Sequence, residues 1–337
     1  MEIDYKKSLV IKGFAVFLML FHHLLAFPDR VPEGAFTDGI WLESLTTLSG
    51  YAKICVPVFF FVSGYGFSIL SERRKYTSIS RLKVFYSSYM FYFLLWASVG
   101  FFVFSSTSVY PGTEDIVFKY DVYNLFMGFW GLDSTYNREA WFAEIYIYLI
   151  FLFPVIRSWK LPFLLIVSAV GFLFSFYLMK QNPTLAVDDL LYWQPSFIFG
   201  VVLYKVRHTI NIQKLQSSSF LSVLVFWIIN TGCFMIWCFL GKNILNFITP
   251  VVVLSLCLVL EKGFLTQIFS KFGKVSLPMW LIHPFLCYYF FDDFIYGLGG
   301  VVQSFFVLVS FTFVLSLVFE FIRKKSLVYF SFERRVL

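Results

Sequence analysis

Charge is scarce in this chain. Only 14% of its 337 residues are Asp, Glu, Lys or Arg, against 59% hydrophobic, and the mean hydropathy is +0.77. Soluble domains carry about 25% charged residues, so a water-soluble globular protein is excluded. The composition predicts an all-α fold, a polytopic transmembrane helical bundle. Cysteine is sparse as well. Cys55, Cys233, Cys238, Cys257 and Cys287 all sit in apolar runs without paired metal-ligand spacing. Buried reduced thiols are therefore expected, and no metal site is. No internal repeat, low-complexity tract or soluble domain is visible, and residues 1–337 read as a single transmembrane domain with no appended soluble domain. Aromatic residues are in excess: 47 Phe, 20 Tyr and 9 Trp. They suit lipid-facing surfaces, and Trp and Tyr favour membrane interfaces.

A bilayer-spanning helix needs about 20 mostly apolar residues. Ten segments qualify: 9–27, 50–70, 84–106, 140–157, 161–179, 190–206, 219–240, 243–260, 275–292 and 297–322. The first lacks a small-residue cleavage site and is read as a helix of the mature protein, not a signal peptide. With the N-terminus placed in the cytoplasm, 21 of the 27 Lys and Arg fall on inner segments and six on outer ones. That asymmetry is the positive-inside signature and puts both termini in the cytoplasm, in a cell membrane. The net charge of +7 then faces anionic lipid headgroups, and no nucleic acid partner is implied. The longest loop, 107–139, falls outside and carries the acids Glu114, Asp115, Asp121, Asp133 and Glu139. Its stretch "YNLFMGFW" is too short to span, which predicts a re-entrant or interfacial segment.

The first helix carries "KGFAVFLMLFHH", residues 12–23. A helix turns 100° per residue and rises 1.5 Å, so His23 lies about 20° past three full turns from Lys12 and about 16 Å along the axis. Lys12 and His23 share a face, Lys12 toward the inner surface and His23 toward the outer. His22 points about 80° away from the Lys12 direction. Lys12 can simply snorkel to the headgroups, and the histidines can bond to neighbouring helices. Two adjacent intramembrane histidines nevertheless point to a functional site.

The chain resembles the acyltransferase-3 family of integral-membrane O-acyltransferases, whose first helix carries a basic residue, ten intervening residues and a histidine. Lys12 and His23 match that spacing, with lysine where the family usually has arginine. "VPVFFFVSGYGFS" (56–68) resembles the family's second-helix signature and includes Ser63. "WFAEIYIYLIFLFPVI" resembles its tryptophan-led central helix, beginning at Trp141. "FIFGVVLYK" (197–205) resembles a later Phe/Gly helix, and "SLPMWLIHPF" (276–285) a late run that includes His283. "ERRKYTSISRLKVF" (72–85) corresponds loosely to a basic segment before the third helix, without the same arginine spacing.

The resemblance implies transfer of an acyl group, acetyl above all, from cytoplasmic acyl-coenzyme A to a hydroxyl of a cell-surface or lipid-linked polysaccharide. Acetyl-CoA is a co-substrate, and no permanently bound cofactor is expected. Lys12, Arg73, Arg74, Arg81 and Lys83 would dock the polyanionic donor, and His23, with His22 beside it, would be the base. Glu144 has a matching expected depth and is the candidate to steady the imidazolium, or else an interfacial acid paired with Lys53 or Arg138. Ser63, Trp141 and His283 read as packing or pore-lining positions. Besides the bilayer, the partners such a role would call for are polysaccharide-assembly proteins or a second copy of the chain. The competing reading is a multi-spanning transporter of an anionic solute, weakened by the lack of matched broken helices in two halves.

Overall fold

The computed structural model describes residues 2–32, 34–36, 39–108, 116–181, 186–209, 219–260 and 263–336. Residues 109–115 of the 107–139 loop lie outside them. Fourteen α-helices appear among the described residues: α1 Tyr5–Leu25, α2 Ile40–Tyr51, α3 Cys55–Glu72, α4 Ser78–Val103, α5 Val122–Phe129, α6 Phe142–Ile156, α7 Leu161–Gln181, α8 Ala186–Val206, α9 Ser219–Leu240, α10 Leu245–Val259, α11 Phe264–Lys274, α12 Ser276–Pro284, α13 Asp292–Tyr296 and α14 Val301–Val336. Extended structure among these residues is limited to one isolated bridge, Ser108 to Ile116.

Among the described residues, seven helical segments are long and apolar enough to cross a membrane. They differ from the ten expected spans for local reasons. The 219–240 and 243–260 spans are α9 and α10, joined through a 3₁₀ turn at Gly241–Ile244 and running as one segment, Phe220–Val259. The 190–206 span is α8, whose first turn carries Asp188 and Asp189. The 275–292 span is interrupted. Pro284 ends α12, a π-helix occupies Phe285–Tyr289, and α13 follows. The short stretch at 123–130 forms α5, eight residues long, as its length requires.

The chain divides into two compact units, with cuts within α1, α2 and α4, after the first residue of α6, and between α11 and α12. The first contains residues 1–18, 51–82 and 143–274. Its centre is the pairing of α3 with α8. A Cβ on Gly64 would lie 2.1 Å from the Phe197 carbonyl oxygen, and one on Gly200 would lie 2.0 Å from that of Phe61. The two backbones touch because neither position carries a side chain, which is how small residues drive association in lipid. Polar side chains in this unit are satisfied across helices. Ser168 donates to Gln194 Oε1 (3.0 Å), Gln194 Nε2 returns to the Ser168 carbonyl (2.8 Å), and Ser196 donates to Asn246 Oδ1 (2.6 Å). Unpaired, each would cost several kcal/mol in hydrocarbon.

The second unit contains residues 19–50, 83–142 and 275–337. Aromatic stacking holds it: Trp96 lies on Phe285 with ring centroids 4.8 Å apart, Phe104 on Phe290 at 4.1 Å and Phe142 against Trp280 at 4.0 Å. On α14 the Arg323 fork makes two 2.8 Å hydrogen bonds to Glu320 and reaches the Ser87 carbonyl on α4 at 3.2 Å. Tyr89 donates to the Gly128 carbonyl (2.8 Å) and thereby ties α5 to α4.

Candidate active site

The site is built in the second unit, around the C-terminal end of α1. The last carbonyls of a helix have no partner within it and must find one elsewhere. Here the His22 carbonyl accepts from Ala26 N–H (2.8 Å), that of His23 from the Tyr288 hydroxyl in a very short contact, and that of Leu24 from Tyr296 (3.3 Å). Pro28 then forbids continuation, because the residue before a proline is pushed out of the helical region. A 3₁₀ turn, Pro28–Arg30, brings Arg30 back over the same helix end.

Arg30 meets a carboxylate that arrives from far along the chain. Its Nη1 lies 2.5 Å from Glu139 Oε1, while the second oxygen, Oε2, lies 3.6 Å from His23 Nδ1. Burial works against the Arg30 charge, but the charge of Glu139 and its hydrogen bond more than offset this, and the net effect raises the pKa of Arg30. Glu139 sits in the 3₁₀ turn Arg138–Ala140 just ahead of α6 and is only 5% exposed, with His23 at 8%. Trp280 of α12 fixes that turn by donating its indole N–H to the Glu139 carbonyl (3.0 Å). The guanidinium of Arg30 also lies over the rings of Phe27 and Tyr288, 4.8 and 4.7 Å from their centroids.

His23 has a second neighbour at Nδ1, the Tyr288 hydroxyl at 3.2 Å. Its ring stacks on Phe27 (5.5 Å) and lies 4.6 Å from the ring of His283. His22 turns aside, as its helical position predicts, with Nδ1 2.7 Å from the Ser49 carbonyl. His283 is fully buried, and its Nδ1 lies 2.6 Å from the Trp280 carbonyl. The cluster thus joins an imidazole to a buried carboxylate that is itself held by an arginine, an arrangement that orients an imidazole and stabilises its protonated form.

The carboxylate at His23 is Glu139, which the sequence reading left among the loop acids. Glu144, proposed from the sequence for that role, belongs to the first unit and accepts a hydrogen bond from Tyr148 one turn further on (2.7 Å). Arg30, Tyr288 and Trp280 were also missed. A hint was available for Arg30, one of the six cations that the positive-inside reading expects on the outer side, but its partnership with Glu139 spans 109 positions and that of Tyr288 with His23 spans 265.

The other anticipated residues divide between the units. Lys12, Ser63, Arg73, Arg74 and Arg81 are in the first, and Lys83, Trp141 and His283 in the second. Lys12 is half-buried on α1 and makes no ion pair among the described residues. Arg73, Arg74 and Lys83 are exposed and Arg81 is half-buried. Arg74 takes a left-handed conformation (φ 54°), and Lys75 N–H closes onto the Leu70 carbonyl (2.8 Å), a common way to terminate a helix such as α3. Ser63 donates to the Phe59 carbonyl one turn back (2.8 Å). Trp141 marks the junction between the 3₁₀ turn and α6. Among the described residues no group of three or more His, Cys, Asp or Glu could hold a metal ion.

A family model described as an acyltransferase domain matches residues 8–322. No curated protein and no solved structure matches the chain. The match runs from the first helix to α14 and includes every residue of the His23–Glu139–Arg30 cluster. The chain is a membrane protein of many apolar helices and belongs to the acyltransferase-3 family.

Proposed function

We propose that this membrane acyltransferase moves an acyl group, acetyl by preference, from cytoplasmic acyl-coenzyme A to a hydroxyl of a cell-surface or lipid-linked polysaccharide. It works in the cytoplasmic membrane with both termini inside. The observation that carries the reading is a buried imidazole, His23, with Nδ1 facing a carboxylate that Arg30 holds in place, on the helix that also bears Lys12.

In this reading His23 removes the proton of the acceptor hydroxyl as its oxygen attacks the thioester carbonyl. The tetrahedral intermediate collapses, the carbon–sulfur bond breaks, and the proton passes from the imidazolium to the departing thiolate. The products are an ester and free coenzyme A. Glu139 stabilises the transient imidazolium and Arg30 keeps the carboxylate aimed. Lys12, with Arg73, Arg74, Arg81 and Lys83, supplies positive charge for the donor's phosphates. The Lys12 ammonium acts there as a point charge and lacks the bidentate fork of the usual arginine.

The test is acyl transfer by purified protein in a bilayer, with acetyl-CoA as donor and the polysaccharide as acceptor. A general base contributes roughly 10²–10⁴-fold. His23→Ala should lose turnover on that scale while the protein still inserts. Wild-type turnover by His23→Ala would end this reading.

A further inference from the structure

We propose that Tyr288 is a positioning residue that holds His23 in the Nδ1–H tautomer, leaving Nε2 as the nitrogen that takes the proton. The inference rests on His23 being the base, and it follows from donor and acceptor counting. A phenol has one hydrogen to give, and a carbonyl oxygen can only accept. The Tyr288 hydroxyl lies hard against the His23 main-chain carbonyl, so its hydrogen is committed there. Toward His23 Nδ1, at 3.2 Å, the same oxygen can therefore only accept.

Nδ1 also faces the Glu139 carboxylate, with Oε2 at 3.6 Å, and a carboxylate paired with Arg30 is likewise an acceptor. An imidazole nitrogen facing two acceptors must carry the hydrogen, and the neutral ring then has its lone pair on Nε2. One hydroxyl thus does two things. It closes the end of α1 by capping the His23 carbonyl, and it sets the protonation pattern of the side chain on the same residue.

The backbone explains how Tyr288 comes to be there. It lies in the π-helix Phe285–Tyr289, a form that usually occurs as a single turn and often at functional sites. The same turn presents Tyr289, whose hydroxyl oxygen accepts from Arg138 N–H (3.4 Å), next to Glu139 in sequence. The π-turn therefore supplies one partner of His23, Tyr288, and through Tyr289 braces the turn that carries the other, Glu139. Arg30 packs on the face of the Tyr288 ring and limits its swing.

The experiment is nitrogen NMR of ¹⁵N-histidine-labelled full-length protein in lipid nanodiscs, above the histidine titration range. The His23 signals are assigned by their loss in His23→Gln. Wild-type His23 should show a protonated Nδ1 and a bare Nε2. Tyr288→Phe leaves Nδ1 only the Glu139 oxygen at 3.6 Å, beyond hydrogen-bond length, so it should show a mixture of tautomers and a fall in turnover of about 10- to 100-fold, the size seen when the partner that orients a metal-bound imidazole is removed. The apparent KM for acetyl-CoA should stay within a factor of about three, because binding is untouched.

A protonated Nε2 in the wild type overturns the proposal. So does a Tyr288→Phe protein with one tautomer and wild-type turnover. If Tyr288→Phe fails to accumulate in the membrane, the wild-type tautomer decides alone. Full turnover by His23→Gln would instead refute the role of His23 as base, a separate outcome from any tautomer measurement.

Discussion

The carboxylate beside His23 offers the sharpest test, because sequence and structure name different residues. Consider Glu139→Gln, which keeps the shape and removes the charge. Protonated His23 would sit 3.6 Å from Glu139 Oε2. At that distance, with an effective dielectric of about 20, the attraction is about 5 kcal/mol. Arg30, 2.5 Å from the other oxygen, already neutralises much of the carboxylate. Taking half of the attraction as net leaves about 2–3 kcal/mol of imidazolium stabilisation, which corresponds to about 10²-fold in turnover.

The assay is transfer from radiolabelled acetyl-CoA, with kcat normalised to folded protein in the membrane and Glu144→Gln measured in parallel. Glu144 is paired with Tyr148, and a glutamine keeps an acceptor for that hydroxyl, so its turnover should stay within about threefold of wild type. Glu139→Gln within threefold of wild type, with Glu144→Gln collapsing, would refute the reasoning and return the supporting role to Glu144.

Three other perturbations bear on separate parts of the protein. Arg30→Ala leaves Glu139, 5% exposed, as a buried charge without its arginine; breaking such a pair from one side costs about 3–5 kcal/mol, which should appear as a clear drop in melting temperature in detergent, with Arg30→Lys recovering only part of it. Lys12→Ala should raise the apparent KM for acetyl-CoA without loss of membrane-inserted protein, while Lys12→Arg should keep or improve donor use; an unchanged KM in Lys12→Ala would remove Lys12 from donor docking. Gly200→Leu forces carbon into a space 2.0 Å from the Phe61 carbonyl and must separate α3 from α8, so folded yield should fall sharply, since even one or two extra methylenes in a packed core cost about 1–3 kcal/mol; normal yield and melting would show that this helix pair can part without harm.

Much of this protein was legible in its sequence, and the reason is local. A shortage of charge and a string of apolar runs already require a helical bundle in lipid, since each helix satisfies its own backbone. The direction of His23, as against His22, follows from 100° per residue within one helix, and His22 indeed turns to Ser49 while His23 faces the charged cluster. The interruption of the 275–292 segment was written in Pro284, although the π-turn that follows was not, because nothing in "FLCYY" distinguishes it from a continuous helix.

The partners of His23 were beyond sequence reasoning. Glu139 was counted with the loop acids because hydropathy starts the span at residue 140, whereas the 3₁₀ turn ahead of α6 draws it out of water. Glu144 is singled out by its expected depth alone, and depth is one coordinate. Which carboxylate reaches an imidazole depends on azimuth and on the path of the preceding turn. The chain's own periodicity decides which way a side chain points from its helix. Only tertiary packing decides what it meets there, because Glu139 and Tyr288 lie 116 and 265 residues from His23 along the chain and are held there by contacts with no local sequence pattern.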